Sequence, residues 1–178
     1  MPNLISHFLI SLDGVVESPD RWSSQYFNEE MGAEVAKVPE EMGAMMMGRV
    51  LYEEWSRYWP SRGGENAGFA DFINNVPKYV VSTTLENPEW HNTTVIGLDG
   101  VAALKEQPGK SIGMSGSPTL VRSLMKAGLL DELRLSVFPI VVGSGARLFD
   151  GLTDRVPLQL TDTRPTSTGV LNLRYRRA

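Results

Sequence analysis

No cysteine occurs in the 178 residues, and there are only two histidines. Disulfide scaffolds, thiolate zinc sites, cysteine nucleophiles and redox pairs are therefore excluded. A metal site would have to be made of carboxylates alone, and no such cluster stands out, so no metal is expected. The basic excess that marks a nucleic-acid surface is also missing, because the formal net charge is −4. Any anionic ligand must be held by local arginines and backbone N–H groups rather than by a broad positive field. No apolar run approaches the length needed to span a bilayer. Residues 1–13 have no basic start, and Ser6, His7 and Ser11 break their apolar run, so they read as a strand rather than a signal peptide. A cytoplasmic chain with no nucleic-acid and no membrane partner is the expectation.

What is present is ordinary globular material, 42% hydrophobic and 21% charged, enough for one domain over residues 1–178. Strand-like runs at 4–12, 44–47, 78–82, 93–96 and 111–114 alternate with helical patterns at 22–42, 50–59, 69–73, 101–106 and 119–127. The 22–42 pattern (Tyr26/Phe27, Met31, Val35, Val38) predicts one helix with a broken end at Pro39. Residues 61–66 form a Gly-rich polar loop, and 132–142 a strand whose Pro139 implies an edge or a bulge. Residues 158–164 and 170–176 read as a terminal hairpin. Alternating strands and helices followed by antiparallel strands imply an α/β layered fold with a mainly parallel sheet.

Three of these strand ends run into turns suited to an anion, and ligands of open parallel sheets gather at such ends. Met47-Gly48-Arg49 puts an arginine in the opening turn of a helix, where the dipole disfavours a cation and a bound phosphate would resolve the conflict. Ser82-Thr83-Thr84 is a hydroxyl-rich turn. Ser115-Gly116-Ser117-Pro118 offers a glycine for close approach, Ser117 as N-cap and Pro118 at the first helical position, leaving free N–H groups aimed at the turn. Neither the dinucleotide G-x-G-x-x-G spacing nor a P-loop is present. The near miss to a nucleophile elbow at Gly113 to Ser117 fails, because no histidine follows it. Asp13, closing the first strand beside Gly14, is either a turn residue or a carboxylate facing a ligand. Trp22 either stacks on a planar ligand or wedges the start of the first helix.

Ser11-Leu12-Asp13-Gly14, Met47-Gly48-Arg49 with Tyr52-Glu53, Tyr79-Val80-Val81-Ser82, Gly116-Ser117 with Leu120, and Gly128 to Leu133 through Pro139 to Gly143-Ser144-Gly145 and Leu148-Phe149 resemble the dihydrofolate-reductase-like family. The likeness is to the branch containing the reductase domain of the bifunctional riboflavin-biosynthesis deaminase-reductase. It implies a three-layer fold: a central mixed, mostly parallel sheet, helices on both faces, and a C-terminal antiparallel hairpin. It also implies a homodimer, formed through residues 133–142 and the hairpin. NADPH would lie across the carboxyl edge, with Gly48 and Arg49 on the 2′-phosphate side and Ser82 and Thr83 beside it. Ser115, Gly116, Ser117 and Thr119 would meet the pyrophosphate, and the strand through Ser11 would lie under the nicotinamide. Hydride would pass to a pyrimidine or pteridine heterocycle, as in 5-amino-6-(5-phosphoribosylamino)uracil reductase. Asp13 is then the candidate to orient or protonate the substrate, with Trp22 and Ser136 lining its pocket. Where folate reductases carry an acid in the first helix, this sequence has Phe27, and Glu29 is the nearest carboxylate that a shift would bring there. The zinc deaminase signatures are absent. The alternatives are a non-catalytic nucleotide-binding or self-associating protein on the same fold, or a true dihydrofolate reductase.

Overall fold

The computed structural model describes residues 1–63 and 68–178, and the Gly-rich loop expected at 61–66 lies partly outside them. Eight strands form one sheet in the order β4-β3-β2-β5-β1-β6-β8-β7. β1 (Leu4–Ser11), β2 (Met42–Gly48), β3 (Lys78–Val81), β4 (Thr93–Ile96), β5 (Ser111–Ser115) and β6 (Glu132–Phe138) run parallel. β8 (Leu171–Arg177) pairs antiparallel with β6, and β7 (Leu158–Pro165) with β8, forming the terminal hairpin.

Period-two alternation sends successive side chains to opposite faces, and β2 shows this with three consecutive methionines. Met46 joins the core with Leu4, Phe8, Ile112 and Leu133, against which α5 (Gly100–Lys105) and α6 (Pro118–Lys126) pack Val101, Leu104, Val121 and Leu124. Met45 and Met47 point the other way, to Ile5 and Val80, beneath Tyr52 of α3 (Arg49–Tyr58) and Ile73 of α4 (Gly68–Asn75). Met31 of α1 (Glu29–Ala36) reaches Phe138 and Val170 on that same second face. Helices therefore cover both faces of a mixed, mostly parallel sheet.

Two expected elements differ. Residues 22–42 are not one helix: 3-10 turns occupy Pro19–Arg21 and Ser24–Tyr26, α1 starts only after Asn28, and α2 (Val38–Glu41) is separate. The Asn28 side chain accepts the Met31 N–H at 3.1 Å, a cap that fixes the start. Pro39, lacking an N–H, lies in the first turn of α2 rather than inside a continuous helix. The second difference is Pro139, which does not mark an edge, since β6 lies inside the sheet between β1 and β8. Its effect is to end β6 at Phe138, one residue earlier.

Lys78 is fully buried in β3. Its ammonium donates to the carbonyls of Ile73 (2.8 Å), Val76 (2.9 Å) and Asn74 (3.3 Å), at the C-terminal end of α4, and lies 4.6 Å from the centre of the Trp90 ring. The last carbonyls of a helix have no partner within it, so a buried cation there satisfies them where water cannot. Burial pulls the ammonium down to about 8, which still leaves it protonated at neutral pH. Lys78→Met leaves those carbonyls without a donor and is expected to lower unfolding free energy by about 1–3 kcal/mol, measured by urea denaturation.

Candidate active site

Because β3, β2, β5 and β1 are consecutive in the sheet, the turns after them lie side by side although they are far apart in sequence. Gly48, Arg49, Ser82, Thr83, Ser115, Gly116, Ser117 and Thr119 line one cavity of about 1140 Å³, which Val16 to Asp20 also line. The structure thus brings together eight of the residues singled out from the sequence.

The turn at Ser115 to Pro118 has the shape an anion requires. Gly116 adopts φ +98°, and a Cβ there would meet Leu51 Cδ2 at 3.3 Å, so a side chain would be strained and would crowd the wall. Ser117 stands at the N-cap position but does not cap its own helix. Its φ is +60°, and its Oγ accepts the Gly48 N–H at 2.9 Å, tying the β5 turn to the β2 turn. The first N–H taken up at this helix start is that of Val121, by Ser117 O. Thr119 and Leu120, which precede it, have no carbonyl one turn back within the helix, and their N–H groups define the positive end of the dipole.

Arg49, also a cleft residue, holds an exposed i,i+4 pair with Glu53 at 2.8 Å. Such a pair is worth only about 0.3–0.5 kcal/mol, so a phosphate can take the guanidinium at little cost. Ser82 Oγ accepts the N–H groups of Thr84 (3.1 Å) and Leu85 (3.0 Å) and lies 3.4 Å from Thr84 Oγ1, holding the third turn.

Four of the sequence-derived site residues are elsewhere. Asp13 does not line the cleft. Its carboxylate accepts the Ser11 hydroxyl at 2.6 Å and the N–H groups of Val142 (3.0 Å) and Gly143 (2.9 Å), with Arg147 at 3.7 Å. These bonds, Ser11 first and then the two backbone groups, hold its pKa well below the usual carboxylate range. An acid so strongly ionised and saturated with donors is a strut for the loop after β6, not a proton source. Ser11 belongs to the same strut, with its Oγ also accepting the Val15 N–H at 2.8 Å. Trp22 packs edge-on to Phe138 at 5.6 Å, and its ring N–H donates to Glu17 O, so it is the wedge rather than a ligand platform. Ser136 is fully buried, one layer behind the cavity walls.

A second cavity of about 460 Å³ opens beside the first, and His7, Leu9, Trp55 and Ser115 line both. Its walls are apolar and aromatic (Phe27, Met42, Met45, Trp59, Phe69), and its polar groups are His7, Glu34, Arg134, Asn172 and Arg174. Gly113 keeps it open: a Cβ there would lie 2.8 Å from Met45 Sδ and 3.0 Å from Met42 Cγ. Sheet register builds the polar side, because Ser115, His7, Arg134, Arg174 and Asp162 are successive partners across β5, β1, β6, β8 and β7. Arg134 is held by Glu41 (2.5 Å) and Glu132 (2.6 Å). Burial alone would raise the Glu34 pKa, but Lys37 at 2.5 Å, with Arg174 and Arg164 beyond, outweighs it and lowers the value.

Glu34 is the carboxylate that sequence reasoning missed. It is not Glu29, which is exposed at the start of α1, but a residue in the second turn of that helix, seven positions past Phe27. The available signal was its position beside the Met31, Val35 and Val38 stripe, where a charge interrupts an apolar face.

The sequence profile of the RibD C-terminal domain matches residues 2–172. The chain belongs to that family. An uncharacterized protein of Bacillus subtilis strain 168, YyaP, is 28% identical over 97% of this chain and 93% of its own length. Among solved structures, one from Shewanella sp. PV-4, assigned to riboflavin biosynthesis, superposes with a TM-score of 0.76 at 20% identity, covering 100% of this chain and 99% of that one. A diaminohydroxyphosphoribosylaminopyrimidine deaminase/5-amino-6-(5-phosphoribosylamino)uracil reductase from Thermotoga maritima gives 0.69 at 15% identity, over 99% of this chain and 57% of its own. The structural likenesses carry the fold, and the RibD-type reductase domain is that fold.

The Asp13 strut has a pH signature. Its native pKa is depressed below the ordinary value near 3.8, so its stabilisation is full above that value and is lost as pH falls through the lower native pKa. Asp13→Asn is expected to melt below wild type at neutral pH, with the gap closing as the pH is taken below about 4 in a series of thermal melts.

Proposed function

We propose that this chain is an NADPH-dependent reductase that delivers hydride to a small heterocycle of pyrimidine or pteridine type, seated in the second cavity. The carrying observation is the junction, where a long cleft with anion-binding turns meets a compact, aromatic-walled cavity along His7, Leu9, Trp55 and Ser115. A cofactor extended along the first would present its reacting ring to whatever fills the second.

The residues fit the cofactor. Arg49 would take the 2′-phosphate, with Ser82 and Thr83 beside it, and the uncapped start of α6, with Gly116 and Ser117, would take the pyrophosphate. When bound, the nicotinamide supplies the hydride. The chain would orient the two rings, with the segment from Val16 to Asp20 lining the cleft beside them. Glu34 is held ionised among cations, and His7 is pulled down to about 4, chiefly by burial and then by Arg134. Both shifts favour the unprotonated form of the side chain.

The absence of a carboxylic acid at Phe27 weighs against folate reduction. A cytoplasmic location, where NADPH is supplied, accords with the cysteine-free sequence. No helix among the described residues is long and apolar enough to cross a membrane. Homodimerisation belongs to the same reading, through the exposed edge strand β7 and the leucines Leu160 and Leu171, which lie 47% and 42% exposed on the hairpin.

Calorimetric titration is expected to show NADPH binding, and Arg49→Ala to weaken it about 10-fold or more while barely affecting NADH, since the guanidinium's charge-assisted bonds go to the extra phosphate. Equal loss for both cofactors, or no NADPH binding by the wild type, overturns the reading.

A further inference from the structure

His7 sits at the junction of the two cavities, and the reductase reading gives it no role. The hydrogen-bond chain behind it has a fixed polarity. The Asn172 amide nitrogen faces Met31 Sδ at 3.8 Å, a thioether that can only accept, so Asn172 Oδ1 faces Ser136 and accepts its hydroxyl proton at 2.6 Å. Ser136 has one proton, and it is committed to that bond. Its Oγ can then only accept from His7 Nε2, at 2.9 Å, so Nε2 carries the ring proton and Nδ1 presents a bare lone pair.

The charged groups that face the ring are Arg134 on β6, Arg174 on β8 and Glu34 on α1. Burial first, then Arg134 and Arg174, resist a second proton against the opposing pull of Glu34, holding the imidazole neutral down to about 4. Among the described residues no donor meets Nδ1, and this atom is not one of the buried unpartnered polar atoms, so it opens to the cavity.

We propose that His7 Nδ1 is the acceptor that orients a substrate N–H or O–H donor at the reacting edge, with Ser136 and Asn172 as positioning residues that fix the imidazole tautomer. The substrate class follows: a heterocycle whose edge toward β1 carries a donor, such as a ring amino group. An edge made only of acceptors would oppose the Nδ1 lone pair and leave it buried and unpaired, which is costly. The assignment of the neighbouring cleft to NADPH rests on the reductase reading, whereas the tautomer stands on the hydrogen-bond chain alone.

The test uses the full chain labelled with 15N, its imidazole nitrogens read by long-range 1H–15N correlation from neutral pH down to about pH 5. The probes are 2,4-diaminopyrimidine, which offers donors, and 2,4-dimethoxypyrimidine, which does not. His7 is expected in the Nε2–H form throughout, its Nδ1 resonance moving with the diamino probe and not with the dimethoxy probe. Ser136→Ala is expected to give a mixture of both tautomers. His7→Phe is expected to narrow the preference for the diamino over the dimethoxy probe about tenfold. A proton on Nδ1 in the free protein overturns the proposal, and so does an unchanged preference in His7→Phe. NADPH binding is measured separately on the same samples, so its failure would remove the reductase reading while the protonation of the two ring nitrogens is still read directly.

Discussion

The placement of β5 between β2 and β1 is the constraint on which the rest of the site depends. Parallel pairing aligns the carboxyl ends of neighbouring strands, so three turns separated by dozens of residues open onto one cleft. The contact that locks this alignment is small. Ser117 Oγ, thrown forward by a left-handed backbone, takes the Gly48 N–H and so spends on a neighbouring turn the oxygen that would have capped α6. One hydroxyl therefore sets the spacing of two anion-facing turns and leaves the helix start open for a ligand. Local helix stability is given up for a binding geometry, the kind of conflict between levels that marks functional positions.

The second face of β1, β6 and β8 shows a related compromise. Strands buried on both faces ordinarily carry apolar side chains, yet here the row from Ser115 through His7, Arg134 and Arg174 to Asp162 is polar throughout. Buried charges are tolerated only when paired, and each is: Arg134 by Glu41 and Glu132, Arg174 by Glu34 and Asp162. Replacement by apolar groups would serve stability as well or better, so a balanced polar row beside an aromatic-walled cavity is better understood as recognition than as structure.

The fold was legible in the sequence because strand and helix periodicities are strong in α/β chains and because the motifs that carry the family resemblance run in order along the chain. The residues of the first cleft were legible for a local reason, since turn chemistry resides in adjacent residues such as Ser115-Gly116-Ser117. The substrate side was not. Asp13 has the composition of a catalytic carboxylate at a strand end, but only three dimensions reveal that the loop after β6 folds back to deliver two N–H groups to it. His7, Arg134 and Arg174 are 40 to 167 residues apart and become a row only once the sheet order is known. Glu34 was hidden because it lies beside the Met31, Val35 and Val38 stripe rather than in it, and a charge at such a position reads as solvated until the second cavity is seen.

This division between turns and strand faces bears on how the family diversifies. In the proposed reading a dinucleotide would be met mainly by backbone N–H groups and small side chains, which depend on the fold more than on residue identity. The proposed heterocycle would be met by side chains in a register-fixed row, where one substitution changes the pattern of donors and acceptors while β-pairing is preserved. Two relatives can therefore share the cleft and differ in the cavity. In this chain the decisive positions are His7 and the pair behind it, Ser136 and Asn172, because a neutral imidazole of fixed tautomer recognises a donor and a cationic side chain at the same place would recognise an acceptor. On the proposed reading, substrate identity in this chain would be written on the interior of β1, β6 and β8, and cofactor identity on the turns at the carboxyl edge.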